Sequence, residues 1–135
     1  PECQTLMMRL ESDLLDIILS TLENKITNLK IKWNKNPCIT VVAASKGYPE
    51  EYKKNDEILI KDYDHNDNSQ LFHAGTITDE NGILKSNGGR VFNSTVMADN
   101  LKNARDKALE ILDKVEWKNK YYRRDIGYQI IDKWE

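Results

Sequence analysis

The stretch LFHAGTITDENGILKSNGGRVF, Leu71–Phe92, decides how this chain folds. It carries four of the six glycines and one of the two histidines. Short apolar and β-branched runs (QLFHAG, TITD, ILKS, RVFNSTVMA) alternate with the breakers ENG and NGG. Asn-Gly and Gly-Gly pairs supply the positive φ that tight hairpins need, so the runs read as strands that double back and pair antiparallel. Upstream, CITVVAAS (38–45) is continuously apolar and reads as a central strand covered on both faces. LKIKW (29–33) alternates like a half-buried strand, and the turn NKNP between the two suggests a hairpin. KGYPEEYKKNDEI is an irregular loop, EILIKDY a short strand, and DYDHNDNSQ a polar surface loop in which His65 is solvated.

Helices flank this region. Leu14, Ile18 and Leu22 recur every four residues with Leu15, Leu19 and Ile26 beside them, predicting an amphipathic helix capped by Ser12 and ending near Lys25. A second helix begins at Asp99, which is expected to cap it, with an apolar stripe of Leu101, Ala104, Ala108, Ile111, Leu112 and Val115. In the tail YYRRDIGYQIIDKWE, Tyr121, Tyr122, Ile126 and Tyr128 are expected to dock on the body. No β-α-β crossover is legible. The fold class is therefore α+β: a mainly antiparallel sheet with an N-terminal and a C-terminal helix packed on it.

The totals exclude several function classes. A chain of 135 residues holds one ordinary hydrophobic core. With 20 basic against 22 acidic residues its net charge is −2, which gives no electrostatic footprint for nucleic acid. No apolar run approaches the roughly 20 residues that span a bilayer. Cys3 and Cys38 form no metal or redox motif and read as two thiols in a reducing cytoplasm.

Few residues carry chemistry. His73 suits proton transfer by its residue type, but a lone histidine between Phe72 and Ala74 in a strand also reads as structural. The turn Asn87-Gly88-Gly89-Arg90 has two readings. Free N–H groups and a guanidinium make an anion-binding nest; a plain hairpin has the same glycines and an arginine pointing at water. Arg123 and Arg124 either bind phosphate or pair with Asp125 to fix the tail. Adjacent Glu50 and Glu51 do not converge as an acid–base pair, and no P-loop is present.

Six stretches, in order, resemble the phosphoribosylamine–glycine ligase (glycinamide ribonucleotide synthetase) family. PECQTLMMRLESDLL resembles its G-D-P-E-x-Q followed by R-x-x-S-D-L-L, matching at Pro1, Glu2, Gln4, Arg9, Leu10, Ser12, Asp13, Leu14 and Leu15. VVAASKGYPEEYKK resembles V-x-A-x-x-G-Y-P-x-x-Y-x-K-G, with Asn55 where the family has its last glycine. LFHAGT, SNGGRV, the helix NLKNARDKALEILDKV and YYRRDIG resemble corresponding family segments.

The resemblance implies the C-terminal portion of an ATP-grasp enzyme. Residues 1–27 would be the last helical segment of the grasp domain and 28–135 the C-terminal domain. The absence of a methionine before Pro1, and a match that begins inside a motif, fit a piece of a longer protein. Such an enzyme joins glycine to 5-phosphoribosylamine in the cytoplasm, for purine synthesis, cleaving ATP to ADP and phosphate through a glycyl phosphate. ATP and magnesium or manganese would be held by segments that precede Pro1, so no metal ligand is assigned here. Asn87, Gly88, Gly89 and Arg90 would bind substrate; His73, Gly75 and Thr76 would line the neighbouring strand in a positioning role; Glu2 would sit at the cleft edge. The implied partners are glycine, 5-phosphoribosylamine and the preceding domains, with no nucleic acid and no membrane. The competing reading is a non-catalytic binding or regulatory module of the same fold. The two differ in surface: the ligase portion needs an apolar face for the other domains, and the module a closed polar one.

Overall fold

The longest apolar run, Cys38–Ser45, forms β1 at the interior of a four-stranded sheet. The computed structural model describes residues 1–64 and 66–134, and of 132–134 only the backbone; the reading of His65 lies outside the described residues. The sheet comprises β1, β3 (Ser69–His73), β6 (Arg90–Met97) and β8 (Lys120–Tyr121) in the order β3-β6-β1-β8, with every pairing antiparallel. Two small ladders flank it: β2 (Leu59–Ile60) with β7 (Val115–Glu116), and β4 (Thr76–Thr78) with β5 (Leu84–Ser86). The class is α+β, as expected from the hairpin signals.

Alternation along β1 assigns its two faces. Ile39, Val41 and Ala43 pair with Val96, Ser94 and Phe92 and point to one side. There helix α3 (Leu101–Asp113) buries Ala104, Ala108, Ile111 and Leu112 against them, the stripe read from the sequence. Thr40, Val42 and Ala44 point to the other side, which helix α1 (Glu2–Arg9) covers in part. A chain of hydroxyls docks that helix: Thr5 Oγ1 lies 2.7 Å from Thr40 Oγ1, which lies 2.9 Å from Thr95 Oγ1.

Several expectations are corrected. Leu29–Trp33 is not a strand: it makes one bridge, Trp33 to Leu10, and Lys32 pairs through its backbone with Glu11 and Ser12. Its alternation therefore belongs to a link with the connector before the next helix, and β1 pairs with β6 and β8 instead of forming a hairpin with it. Helix α2 (Leu14–Leu22) is capped by Asp13, not Ser12, because the Asp13 carboxylate accepts from the N–H of Leu15 and Asp16. It stops before Lys25, since Asn24 turns left-handed (φ 56°) and Lys25 N–H donates to the Ser20 carbonyl, a Schellman closure. Nor does α2 pack on the sheet; none of its residues is buried. Asn100 rather than Asp99 caps α3, accepting from Asn103 N–H at 2.7 Å. In the tail, Tyr122 and Ile126 pack on the core, whereas Tyr121 and Tyr128 remain largely exposed. A further helix, α4, spans Tyr128–Trp134.

The left-handed backbone at Asn55 (φ 65°) suits the asparagine that stands where the resembled pattern has glycine, because asparagine is among the few side chains that visit that region. Its N–H donates to Ser86 O at 2.6 Å, fixing the loop against β5. Asn55→Gly should leave stability unchanged or slightly raised, while Asn55→Val should cost about 1–2 kcal/mol from left-handed strain. Urea midpoints of the two variants check this; equal midpoints would contradict it.

Candidate functional site

Gly75, Gly88 and Gly89 lie where three backbones meet with no space for side chains. A Cβ on Gly75 would stand 2.6 Å from both the Arg90 carbonyl oxygen and Gly88 Cα, and one on Gly88 would stand 2.9 Å from Gly75 Cα. Backbone bonds lock the seam: Asn87 N–H donates to Gly75 O at 2.7 Å, Gly75 N–H to Arg90 O at 2.8 Å, and Ser45 N–H to Gly89 O at 2.7 Å. Ser45 Oγ adds a bond to Gly88 O. Neither Gly88 nor Gly89 has positive φ, contrary to the turn expected from their sequence; among the described glycines that conformation belongs to Gly47, Gly82 and Gly127. These two glycines are required by close approach, not by turn geometry. The N–H groups of Gly88 and Gly89 donate to no acceptor among the described residues.

A β-bulge then aims Arg90. Ala43 pairs with Phe92 but Ala44 pairs with Arg90, so Val91 is an extra residue on β6. Val91 and Phe92 both enter the core, and Arg90 falls opposite Ala44 on the face that carries Thr40 and Val42. Bulges commonly re-aim a side chain in this way. Arg90 is exposed and forms no hydrogen bond or ion pair among the described residues.

That face carries a groove of about 350 Å³, with Thr40, Val42 and Ala44 on its floor and Pro1, Tyr48, Arg90, Tyr121, Tyr122, Arg123 and Ile126 around it. Tyr48 is held over Gly89, whose hydrogen-only α-carbon leaves space for the ring: a Cβ there would stand 2.1 Å from Tyr48 Cδ2. The turn that presents Tyr48 is tight, with Gly47 at φ 103° and its Cβ position 2.1 Å from Glu51 O. Glu2, next to Pro1, feels this end of the site: a bond from its own backbone holds its carboxyl below the usual range, and the Arg90 charge adds to the effect.

The tail wall is braced from behind. Tyr122 OH donates to the Asp113 carboxylate, and Arg124 donates to Asp113 Oδ1 at 2.5 Å and to Tyr122 OH at 2.7 Å. Burial, then the bond to Asp113, pushes the Tyr122 hydroxyl up to about 12. Burial alone would raise the Asp113 carboxyl, but the bonds from Tyr122 and Arg124 together hold it below its usual range. Lys120 Nζ donates to Leu112 O, near the end of α3, at 2.9 Å and to Val115 O of β7.

The structure thus unites Gly75, Asn87, Gly88, Gly89, Arg90 and, at the edge, Glu2. It sets His73 and Thr76 apart. His73 pairs with Phe92 and so points to the opposite face from Arg90; its ring meets the Phe92 ring edge-on at 4.7 Å, and its Nδ1 lies 3.0 Å from Thr76 Oγ1. Sequence reasoning missed Tyr48 and Tyr121 as groove walls, and no local signal marks them; they reach the groove only through the pairing of β1 with β6 and β8. Among the described residues no three His, Cys, Asp or Glu converge to hold a metal.

The profile of one protein family, described as "Phosphoribosylglycinamide synthetase, C domain", matches residues 38–129. This chain belongs to that family. It is 44% identical over 131 residues to phosphoribosylamine–glycine ligase of Agrobacterium fabrum, covering 97% of this chain and 30% of that protein. It is 36% identical to the chloroplastic phosphoribosylamine–glycine ligase of Arabidopsis thaliana, covering 97% and 25%. A crystal structure of phosphoribosylamine–glycine ligase from Thermotoga maritima superposes with a TM-score of 0.64 at 29% identity, over 80% of this chain and 27% of that one. The chain spans about 30% of the length of such bacterial relatives. The family segment thus contains the glycine seam, the bulge and the tail wall.

If Tyr48 is what forbids a side chain at residue 89, Gly89→Ala should cost about 1–3 kcal/mol by overpacking. The same substitution in a Tyr48→Ala background should cost little, a coupling that a double-mutant cycle in urea would measure. Additive costs would show that the clash lies elsewhere.

Proposed function

We propose that this chain is the C-terminal portion of a phosphoribosylamine–glycine ligase and supplies the anchoring site for its phosphorylated substrate. In the overall reaction the glycine carboxylate takes the γ-phosphoryl group of ATP, releasing ADP. The amine of 5-phosphoribosylamine then attacks the acyl carbon, loses a proton and expels phosphate. The order of these steps, the cytoplasmic setting and the role in purine synthesis come with the family reading. The nucleotide and its magnesium or manganese are assigned to the preceding grasp domain, of which residues 1–27 would be the final helical segment and 28–135 the C-terminal domain.

The observation that carries the reading is Arg90, exposed and unpaired among the described residues, at the rim of a groove with an apolar floor. A guanidinium suits a phosphate, and a donor aimed by a rigid backbone costs no reorganisation when charge develops. A second observation supports the placement of the partner domains. Leu14, Leu15, Ile18, Leu19 and Leu22 of α2 are exposed, Leu22 to 74%, and all lie ahead of the matched segment that begins at residue 38. An uncovered helix of that apolarity suits a buried interface, and the preceding domains of the same enzyme are its proposed cover.

The full-length protein should release ADP only when glycine and phosphoribosylamine are both present; release independent of either would overturn the assignment. In that protein Arg90→Ala should weaken phosphoribosylamine use by about 1.5–3 kcal/mol, the worth of a charged hydrogen bond, with little change in KM for ATP.

A further inference from the structure

We infer that Arg123 is the second guanidinium of the phosphate site and that Asp125 holds its place until substrate arrives. This rests on the ligase reading above and adds a residue whose sequence allowed either a binding or a structural role.

The two tail arginines have different surroundings. Arg124 turns away to Asp113 and the Tyr122 hydroxyl, stacks over the Tyr122 ring at 5.2 Å, and does not line the groove. Arg123 does line it, together with Arg90. Strand register explains why. Tyr121 pairs with Ala44, and Ala44 pairs with Arg90, so the three form one row across β8, β1 and β6. At two strand spacings the outer pair of that row is about 10 Å apart, and Arg123 follows two residues after Tyr121. One arginine therefore comes from each flank of the groove, with an apolar floor between them.

Charge balance asks for both. A phosphomonoester carries about −1.5 to −2 near neutral pH, which Arg90 alone does not match. Arg123 meanwhile spends its planar fork on Asp125, donating from Nε to Oδ1 at 3.1 Å and from Nη2 to Oδ2 at 2.7 Å. This is the two-point geometry a guanidinium uses on phosphate. Both partners are more than half exposed, so the pair is held weakly and exchanges readily. Arg124, Asp113 and Tyr122 brace the wall from behind, leaving Arg123 free to move without unfolding it. Glu2 is the acidic group that feels Arg90, so Arg90 shares its charge with that carboxylate and a second guanidinium is the more needed for a phosphate.

The test uses the full-length enzyme. Arg123→Ala should raise KM for phosphoribosylamine about tenfold or more, as loss of a charged hydrogen bond does, and should flatten the dependence of that KM on salt. KM for ATP and glycine and the melting temperature should stay put. Arg123→Lys should keep the salt dependence but recover only part of the affinity, since the fork is lost. Asp125→Asn, which releases Arg123, should lower the same KM. If Arg90→Ala raises KM for phosphoribosylamine and Arg123→Ala does not, the inference fails and the ligase reading stands; if neither does, the assigned phosphate site fails as well. A rise in all three KM values with a fall in melting temperature would make Arg123 structural, and a raised KM in Asp125→Asn would make Asp125 a support rather than a placeholder.

Discussion

The site depends on a contact that side chains cannot enter. Gly75 and Gly88 meet backbone to backbone, and Gly89 makes space for the Tyr48 ring. Protein interiors tolerate little overlap, so a single added methyl at this seam must move main chain or eject an aromatic wall. The seam ties the end of β3 to the start of β6, and Ser45 ties the start of β6 to the end of β1. Three segments distant in sequence are thereby fixed at one corner before any ligand arrives. That is the preorganisation a charge-binding site needs.

From this corner the sheet distributes its functions by face. The α3 face takes the core residues of β1 and β6, with Phe92 and Trp117 rings 6.1 Å apart. The other face is left partly open by the short α1, and the bulge at Val91 turns Arg90 toward it. Without the extra residue Ala44 would sit opposite Val91, and either the core or the groove would lose its side chain. The brace of Asp113, Tyr122 and Arg124 then holds the tail as the far wall. Its pairs are largely exposed, so it contributes position more than stability.

Much of this was legible in the sequence. The strands 38–45 and 90–97 follow from unbroken β-branched runs, and α3 from its apolar stripe. Caps slipped by one residue where two adjacent side chains both accept hydrogen bonds: Ser12 beside Asp13, and Asp99 beside Asn100. Leu29–Trp33 misled because alternation reports an amphipathic extended segment and says nothing of its partner. The helix Glu2–Arg9 went unmarked because it packs through Thr5 rather than through an apolar stripe. Gly88 and Gly89 were readable as special, but the reason was not; close approach needs three-dimensional neighbours, whereas a turn needs only local sequence. The groove itself was hidden, since Tyr48, Arg90 and Arg123 belong to separate segments and a bulge leaves no sequence mark.

The central claim is that the corner at residues 87–90 receives the phosphate of the sugar substrate. Hydrogen exchange in the full-length enzyme, with and without ribose 5-phosphate, addresses it without relying on catalysis or substitution. The claim predicts that ribose 5-phosphate slows exchange at the amides of Gly88 and Gly89, which donate to no acceptor among the described residues, and that glycine alone does not. Protection that arises elsewhere in the enzyme while these two amides exchange as fast as they do without the ligand would contradict it.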